Sequence, residues 1–179
     1  MAKYNYAFNI NENQAKAAGK DIAISTKKAV EVCSFVRNKS LDRAKLELKQ
    51  VILGKLPVPY KRYNKGTPHR TKLGPGRYPQ KTAEEILHLL EGVTANAQSK
   101  GLSTNKLMVV HICAHRASSP MKGGRQRGRS MKKTHVEVVV EEMKVEAKKN
   151  NKKSKKTEIS KNTKETENKS EQKKGNDKQ

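Results

Sequence analysis

Two runs rich in β-branched residues, Leu107-Met-Val-Val-His-Ile-Cys113 and Val136-Glu-Val-Val-Val140, are separated by a segment that no small core can absorb. From Arg116 to Lys133 that segment carries Arg116, Lys122, Arg125, Arg127, Arg129, Lys132 and Lys133, and not one acid. The flanks read as two strands and the segment as an unusually long loop between them. Loops within compact domains typically run about 4–6 residues, and longer ones tend to be functional or disordered. Charge this dense repels itself unless an anion neutralises it, so the loop must point outward, toward nucleic acid. Each flank extends to about ten residues, against a typical strand of about 5–6. At about 3.3 Å per residue that is a reach of about 33 Å, more than a small core needs, so a hairpin over roughly 106–145 should protrude. In the last strand Val136, Val138 and Val140 face one side while Glu137, Val139 and Glu141 face the other, as in a half-buried antiparallel sheet.

The charge of the whole chain agrees with that direction. A formal net charge of +23 and a pI near 10.1 select polyphosphates or anionic membranes as partners. No apolar run approaches the roughly 20 residues of a spanning helix, so the membrane reading is set aside. The opening Met-Ala-Lys-Tyr-Asn-Tyr lacks the apolar stretch of a signal peptide, and a cytoplasmic protein is expected. Cys33 and Cys113 stand far apart, form no Cys-x-x-Cys pair, and read as small buried apolar residues.

A second acid-free stretch, Pro57 to Pro79, mixes Tyr60, Tyr63 and Tyr78 with Lys61, Arg62, Lys65, Arg70, Lys72 and Arg77 among prolines and glycines, and reads as a loop. The guanidinium fork matches phosphate oxygens, and a tyrosine ring can stack on an unpaired base or a sugar edge. Gly123, Gly124 and Gly128 allow backbone to approach RNA closely in the other loop. Solvated basic loops are the bland alternative, but two separate acid-free loops beside helices of mixed charge argue for a shared anionic partner.

Three helices follow from apolar spacing. Ser25 can cap one through Val36, with Ala29, Val32, Cys33 and Val36 on one face. Ser40 can cap a second, with Leu41, Ala44, Leu48, Val51 and Ile52 as its stripe and Gly54 at its end. A third starts near Pro79, where Thr82 with Glu85 spells a capping box, and Ala83, Ile86, Leu87, Leu90, Val93, Thr94 and Ala97 hold a helical period to Gly101. Asp21-Ile-Ala-Ile24 is a short strand candidate. Beyond Lys148 the only aliphatic residue is Ile159, which predicts a disordered lysine-rich tail over 148–179 after a domain over 1–147.

Catalysis and metal binding find little support. His111, Cys113 and His115 share one strand face, but the outer pair would lie about 13 Å apart along a strand, too far for one metal with bonds near 2.0–2.3 Å. A structural or RNA-facing role is preferred, His135 on the facing strand keeps a site open, and no metal or cofactor is assigned. Gly123-Gly124 lies in a hairpin rather than between a strand and a helix, so no phosphate-binding loop is formed. Glu84 and Glu85 suit the first turn of a helix, and Glu141 and Glu142 point to opposite strand faces. No enzyme is expected.

Several stretches, in order, resemble one known family, the ribosomal large-subunit protein L22 family, called L17 in eukaryotic naming. Ile24-Ser-Thr-Lys-Lys-Ala-Val30 is similar to its first-helix opening, and Arg37-Asn-Lys-Ser-Leu-Asp-Arg-Ala44 to its second. Ala95-Asn-Ala97 closes the third helix as in the family, and Gly74-Pro-Gly-Arg-Tyr-Pro-Gln-Lys81 resembles the archaeal and eukaryotic branch. His115-Arg-Ala117 entering a basic tip and Ser130–His135 leaving it complete a match over roughly residues 1 to 146. The resemblance implies an α+β domain, with three helices on a small antiparallel sheet and a long protruding hairpin. It also implies a monomeric constituent of the large subunit of the cytoplasmic ribosome, near the exit of the nascent-chain tunnel, with the hairpin running inward to the tunnel wall. Its partners would be large-subunit rRNA, neighbouring large-subunit proteins and the nascent polypeptide. Carried onto this chain, rRNA would meet Arg116, Lys122, Arg125, Arg127 and Arg129, with Lys132 and Lys133 closing the same segment. Near the domain it would meet Lys27, Lys28, Asn96 and the stretch holding Lys61, Arg62, Lys65, Arg70, Lys72, Arg77 and Lys81. The alternative is a non-specific nucleic-acid binder of the chromatin or RNA-chaperone type, with affinity falling steeply with salt and no preferred site. A nucleic-acid enzyme stands further off, without a supporting carboxylate pattern.

Overall fold

The structure, a computed structural model, describes residues 5–9, 11–125 and 128–143. Arg127, the end of the expected hairpin range and the whole lysine-rich tail lie outside the described residues. The chain divides into two units, Met1–Met143 and Lys144–Gln179, and all the described residues belong to the first. In chain order they form β1 (Gln14–Ile22), α1 (Thr26–Val36), α2 (Leu41–Ile52), β2 (Val58–Pro59), β3 (His69–Arg70), β4 (Gly74–Arg77), α3 (Gln80–Ser99), a 3-10 turn (Thr104–Lys106), β5 (Leu107–Arg116) and β6 (Thr134–Glu142). No helix among the described residues is long and apolar enough to cross a membrane.

The main sheet is antiparallel in the order β1-β6-β5, so the last strand lies in the middle. Its valines make it so: Val136, Val138, Val139 and Val140 are all fully buried, and so is Glu137. Helices supply the cover on one side through Val32, Val36, Leu48, Ile86 and Leu90, which join Val109, Ile112 and Val138 in one core. The other side of the sheet departs from the half-solvated expectation. Ala7 donates its amide to Glu137 Oε2 at 3.2 Å, and the Phe8 ring stacks on His111 with centroids 5.2 Å apart. The N-terminal segment thus reaches the polar face of β5 and β6, and Glu137 is buried among partners rather than in water.

β1 is longer and earlier than the expected Asp21–Ile24 strand. Its residues, Gln-Ala-Lys-Ala-Ala-Gly-Lys-Asp-Ile, have low β-propensity, and pairing with β6 from Gln14↔Glu141 to Gly19↔Val136 is what holds them extended. A Cβ on Gly19 would stand 2.5 Å from the Ile22 Cδ1 methyl and 3.1 Å from a Leu89 methyl of α3, so a side chain there would make both give way. The register then breaks between Gly19 and Ile22, and Asp21 takes a left-handed φ of 54°. Ile24 leaves the strand yet stays buried.

The helices fall where their apolar stripes put them, but not all their starts do. Ser25 and Ser40 occupy N-cap positions in extended conformation, without a side-chain cap hydrogen bond. For α3 the cap is Pro79, not Thr82: the Ala83 amide donates to the Pro79 carbonyl at 2.9 Å and closes the first turn earlier than the capping box required. Thr82 is instead inside the helix and buried. Gly54 and Gly101 end α2 and α3 with φ of 73° and 75°, the left-handed stop that glycine permits.

The hairpin projects, but only past its strands. β5 and β6 pair from Leu107↔Glu142 to Arg116↔Thr134 with the core packed against them. A looser ladder continues through Ala117 N–H to Lys133 O (3.2 Å), Met131 N–H to Pro120 O (2.8 Å) and Lys122 N–H to Arg129 O (2.7 Å). Ser118 to Arg125 and Gly128 to Lys132 are exposed. The excess strand length therefore serves the sheet, and the basic segment alone forms the tip.

Candidate nucleic-acid interface

The stretch from Pro57 to Pro79 is not the structureless loop its prolines and glycines suggest. β2 and β3 pair on either side of β4 to make a second small sheet. What fixes its basic end is a residue that spacing did not single out. Glu31 of α1 is buried among apolar neighbours, and its carboxylate accepts the amides of Lys61 (3.0 Å), Arg62 (2.9 Å) and Tyr63 (2.7 Å). Three N–H groups converging on one carboxylate hold the backbone in a single curve while the Lys61 and Arg62 side chains remain exposed. In the sequence, the signal was an acid inside the apolar run Ala-Val-Glu-Val-Cys of the first helix.

This curve closes a cleft of about 480 Å³ lined by Ser25, Lys27, Lys28, Tyr60, Arg62, Tyr63, Asn64, Lys65, Thr67 and Arg77. Five of the candidates chosen from sequence, Lys27, Lys28, Arg62, Lys65 and Arg77, therefore meet although they come from α1, the loop and β4. The Tyr63 ring lies near two of them, its centroid 5.7 Å from Lys27 Nζ and 5.6 Å from the Arg62 guanidinium. Arg77 Nη2 donates to the Gly66 carbonyl at 2.5 Å, which sets the guanidinium at the cleft wall. Tyr60 forms the floor; burial pushes its phenol above the ordinary value, against the lowering effect of Arg77. Asn64 and Thr67 are lining residues that sequence reasoning passed over, since small polar side chains in a basic loop carry no distinguishing pattern, and Ser25 was read only as the cap of α1.

The remaining candidates divide into other places. Lys61 faces a neighbouring hollow with Phe35, Arg37, Lys39 and Pro59. Arg70 lies 5.1 Å from the Tyr78 ring, Lys72 is exposed at a left-handed φ of 66°, and Lys81 is exposed in the first turn of α3. Asn96 is committed to the fold, its Nδ2 donating to the Lys16 carbonyl of β1 at 2.9 Å. On the hairpin, Arg116, Lys122, Arg125, Arg129 and Lys132 are exposed and Lys133 is half-buried.

The strand face that bears the histidines is closer-knit than strand geometry predicts. His111 Nε2 lies 2.9 Å and His115 Nε2 3.4 Å from the same atom, Glu137 Oε1. The outer pair, expected to be too far apart for one metal, brings both Nε2 atoms to one carboxylate oxygen, because long side chains lean along the strand toward the carboxylate between them. A register shift between Val109 and His111 accompanies this. Burial alone would raise the Glu137 pKa, but hydrogen bonds from His111, Ala7 and His115 outweigh it and hold the carboxyl below its ordinary value. His135 takes no part and accepts the Asp21 amide at Nδ1 (3.0 Å).

Comparison with known proteins covers both the cleft and the hairpin. The family described as ribosomal protein L22p/L17e matches residues 17–141. The large ribosomal subunit protein uL22 of Methanopyrus kandleri is 41% identical over 141 residues, spanning 74% of this chain and 89% of that protein. Its counterpart in Methanosphaera stadtmanae is 40% identical over 153 residues, 79% of this chain and 99% of that protein. That of Staphylothermus marinus is 37% identical over 156 residues, 80% of this chain and 99% of that protein.

Proposed function

The chain belongs to the ribosomal protein L22p/L17e family, and from that membership we propose how its basic surfaces meet RNA. It is a structural constituent of the large subunit of the cytoplasmic ribosome, binding rRNA beside other ribosomal proteins, and its role is structural rather than catalytic. The observation that carries the residue-level reading is the cleft in which Lys27, Lys28, Arg62, Lys65 and Arg77 converge around Tyr63. A volume near 480 Å³ has room for a nucleotide unit, with cations on its wall for the phosphate and a ring for the sugar or an unpaired base. Because amides fill the Glu31 carboxylate, the one acid beneath the loop does not compete for those cations.

The hairpin tip is the second point of RNA binding. Lys122, Arg125, Arg129 and Lys132 are exposed on the tip beyond β5 and β6. With Arg127 they neutralise phosphates along its length, and its end lines the tunnel and meets the nascent polypeptide. Residues 1–147 act as the RNA-binding domain, a monomer within the ribosome, while 148–179 add a long-range attraction of about twelve lysines against five acids.

Binding of purified full-length chain to large-subunit rRNA tests the cleft directly. Substituting Arg62 and Arg77 with alanine should weaken binding and lower the salt slope by about 0.7–0.9 for each phosphate that is no longer neutralised. Binding to random-sequence duplex DNA should change less. Equal losses on rRNA and DNA would mean the cleft supplies only non-specific charge.

A further inference from the structure

We propose that His111, Cys113 and Glu137 form a zinc site on the face of the sheet beneath the N-terminal segment, with His115 or a water as the fourth ligand. One ligand atom from each of His111, Cys113 and Glu137 lies within 4.8 Å of the others. The topology explains why. His111 and Cys113 are two apart on β5 and share a face, while Cys113 and Glu137 are directly paired across the ladder. Cross-strand partners carry their Cβ atoms about 4.5–5.5 Å apart, close enough for short side chains to converge on one ion.

The ligand atoms stand near the spacing of a tetrahedral centre, one pair closer at 2.9 Å and the whole set within 4.8 Å. With bonds of about 2.0–2.3 Å to nitrogen, oxygen and sulfur, neighbouring ligand atoms around zinc stand roughly 3.3–3.7 Å apart. Glu137 Oε1 is 2.9 Å from His111 Nε2 and 3.4 Å from His115 Nε2, so an ion entering there would need side-chain adjustments only. Two imidazoles aimed at a single carboxylate oxygen exceed what a hydrogen-bonded pair requires. The far oxygen, Oε2, is already held by the Ala7 amide, and the His111 ring is stacked against Phe8. These neighbours orient two ligands in advance, as outer partners do in metal sites.

A mixed nitrogen, sulfur and carboxylate set selects Zn2+ over Mg2+ or Ca2+, which take oxygen ligands. On binding, the Cys113 thiol gives up its proton to solvent and coordinates as the thiolate. The ion would clamp β5 to β6 at the base of the basic hairpin. Glu137 is almost wholly enclosed and Cys113 partly so, which keeps competing water few.

Metal titration of the full-length chain in metal-free reducing buffer tests the site, with Co2+ as the spectroscopic probe. Stoichiometric Co2+ should produce a thiolate-to-cobalt charge-transfer band that equimolar Zn2+ abolishes. C33S should keep the band, because Cys33 lies in the core, whereas C113S should lose it. E137Q and H111A should weaken binding by roughly tenfold or more. C113S replaces sulfur with a hydroxyl of similar size, and circular dichroism of each variant separates loss of a ligand from loss of fold. A folded wild-type chain without the band at micromolar concentrations, or a band that survives in C113S, would overturn the proposal.

Discussion

Glu31 and Glu47 show how much a single carboxylate can decide here. Glu31 accepts three loop amides from inside the core, and its removal leaves those donors without it. Glu31→Ala should therefore cost about 1–3 kcal/mol, moderated because water can reach the exposed Lys61 and Arg62, and urea denaturation would measure it. The same variant should bind rRNA less well than its stability loss alone explains, since the cleft wall is no longer set. Glu47 is bonded by Lys39 and by Arg43 Nε at 2.9 Å. Partial burial raises its pKa, but those bonds outweigh burial and leave the carboxyl below its ordinary value. A carboxyl with a lowered folded-state pKa stabilises above its unfolded pKa, and that contribution is lost as pH falls through the folded value. Glu47→Gln should therefore flatten the fall in thermal stability below about pH 4.5, with little change in slope near neutrality. A variant curve parallel to the wild type through the acid range would show that the bonds contribute nothing. Both acids were visible in the sequence, but a carboxylate's partners are set by which loop or helix folds over it.

At the scale of elements, the hydrophobic periods of α1, α2 and α3 were readable because each helix buries one stripe, and that requirement is written along the chain. Starts were less readable. Thr82 and Glu85 matched a capping box, yet the Ala83 amide already bonds the Pro79 carbonyl, so the turn closes earlier and Thr82 lies buried inside the helix. β1 was misplaced for the opposite reason: pairing with β6 holds a run of low β-propensity extended, so tertiary pairing overrides local propensity. The basic tip is an element that the core does not use. Deleting Ser118–Arg129 should leave the thermal midpoint within a few degrees of wild type, because those of its residues that are described are exposed. In reconstituted subunits the same deletion should expose rRNA nucleotides to chemical probing. An unchanged footprint would remove the tip from the proposed RNA interface, and a large fall in the midpoint would place it in the folding unit.

For the whole molecule, charge and topology pull in different directions. A net charge of +23 burdens the free protein with self-repulsion, which counter-ions or RNA relieve. Adding sulfate or a short RNA should raise the melting temperature of the free chain, with RNA acting at far lower concentration. Equal effects at matched ionic strength would argue for screening alone. The sequence by itself determined the partner class, the three helices and the projecting basic hairpin, because net charge, apolar period and acid-free runs are local properties that survive any arrangement of the elements. Only the tertiary structure decided that Glu31 organises the cleft, that Asn96 braces β1, and that His111, His115 and Cys113 gather at Glu137. Each of those joins residues far apart in the chain, and their meeting depends on sheet order and register, which no run of neighbouring residues encodes.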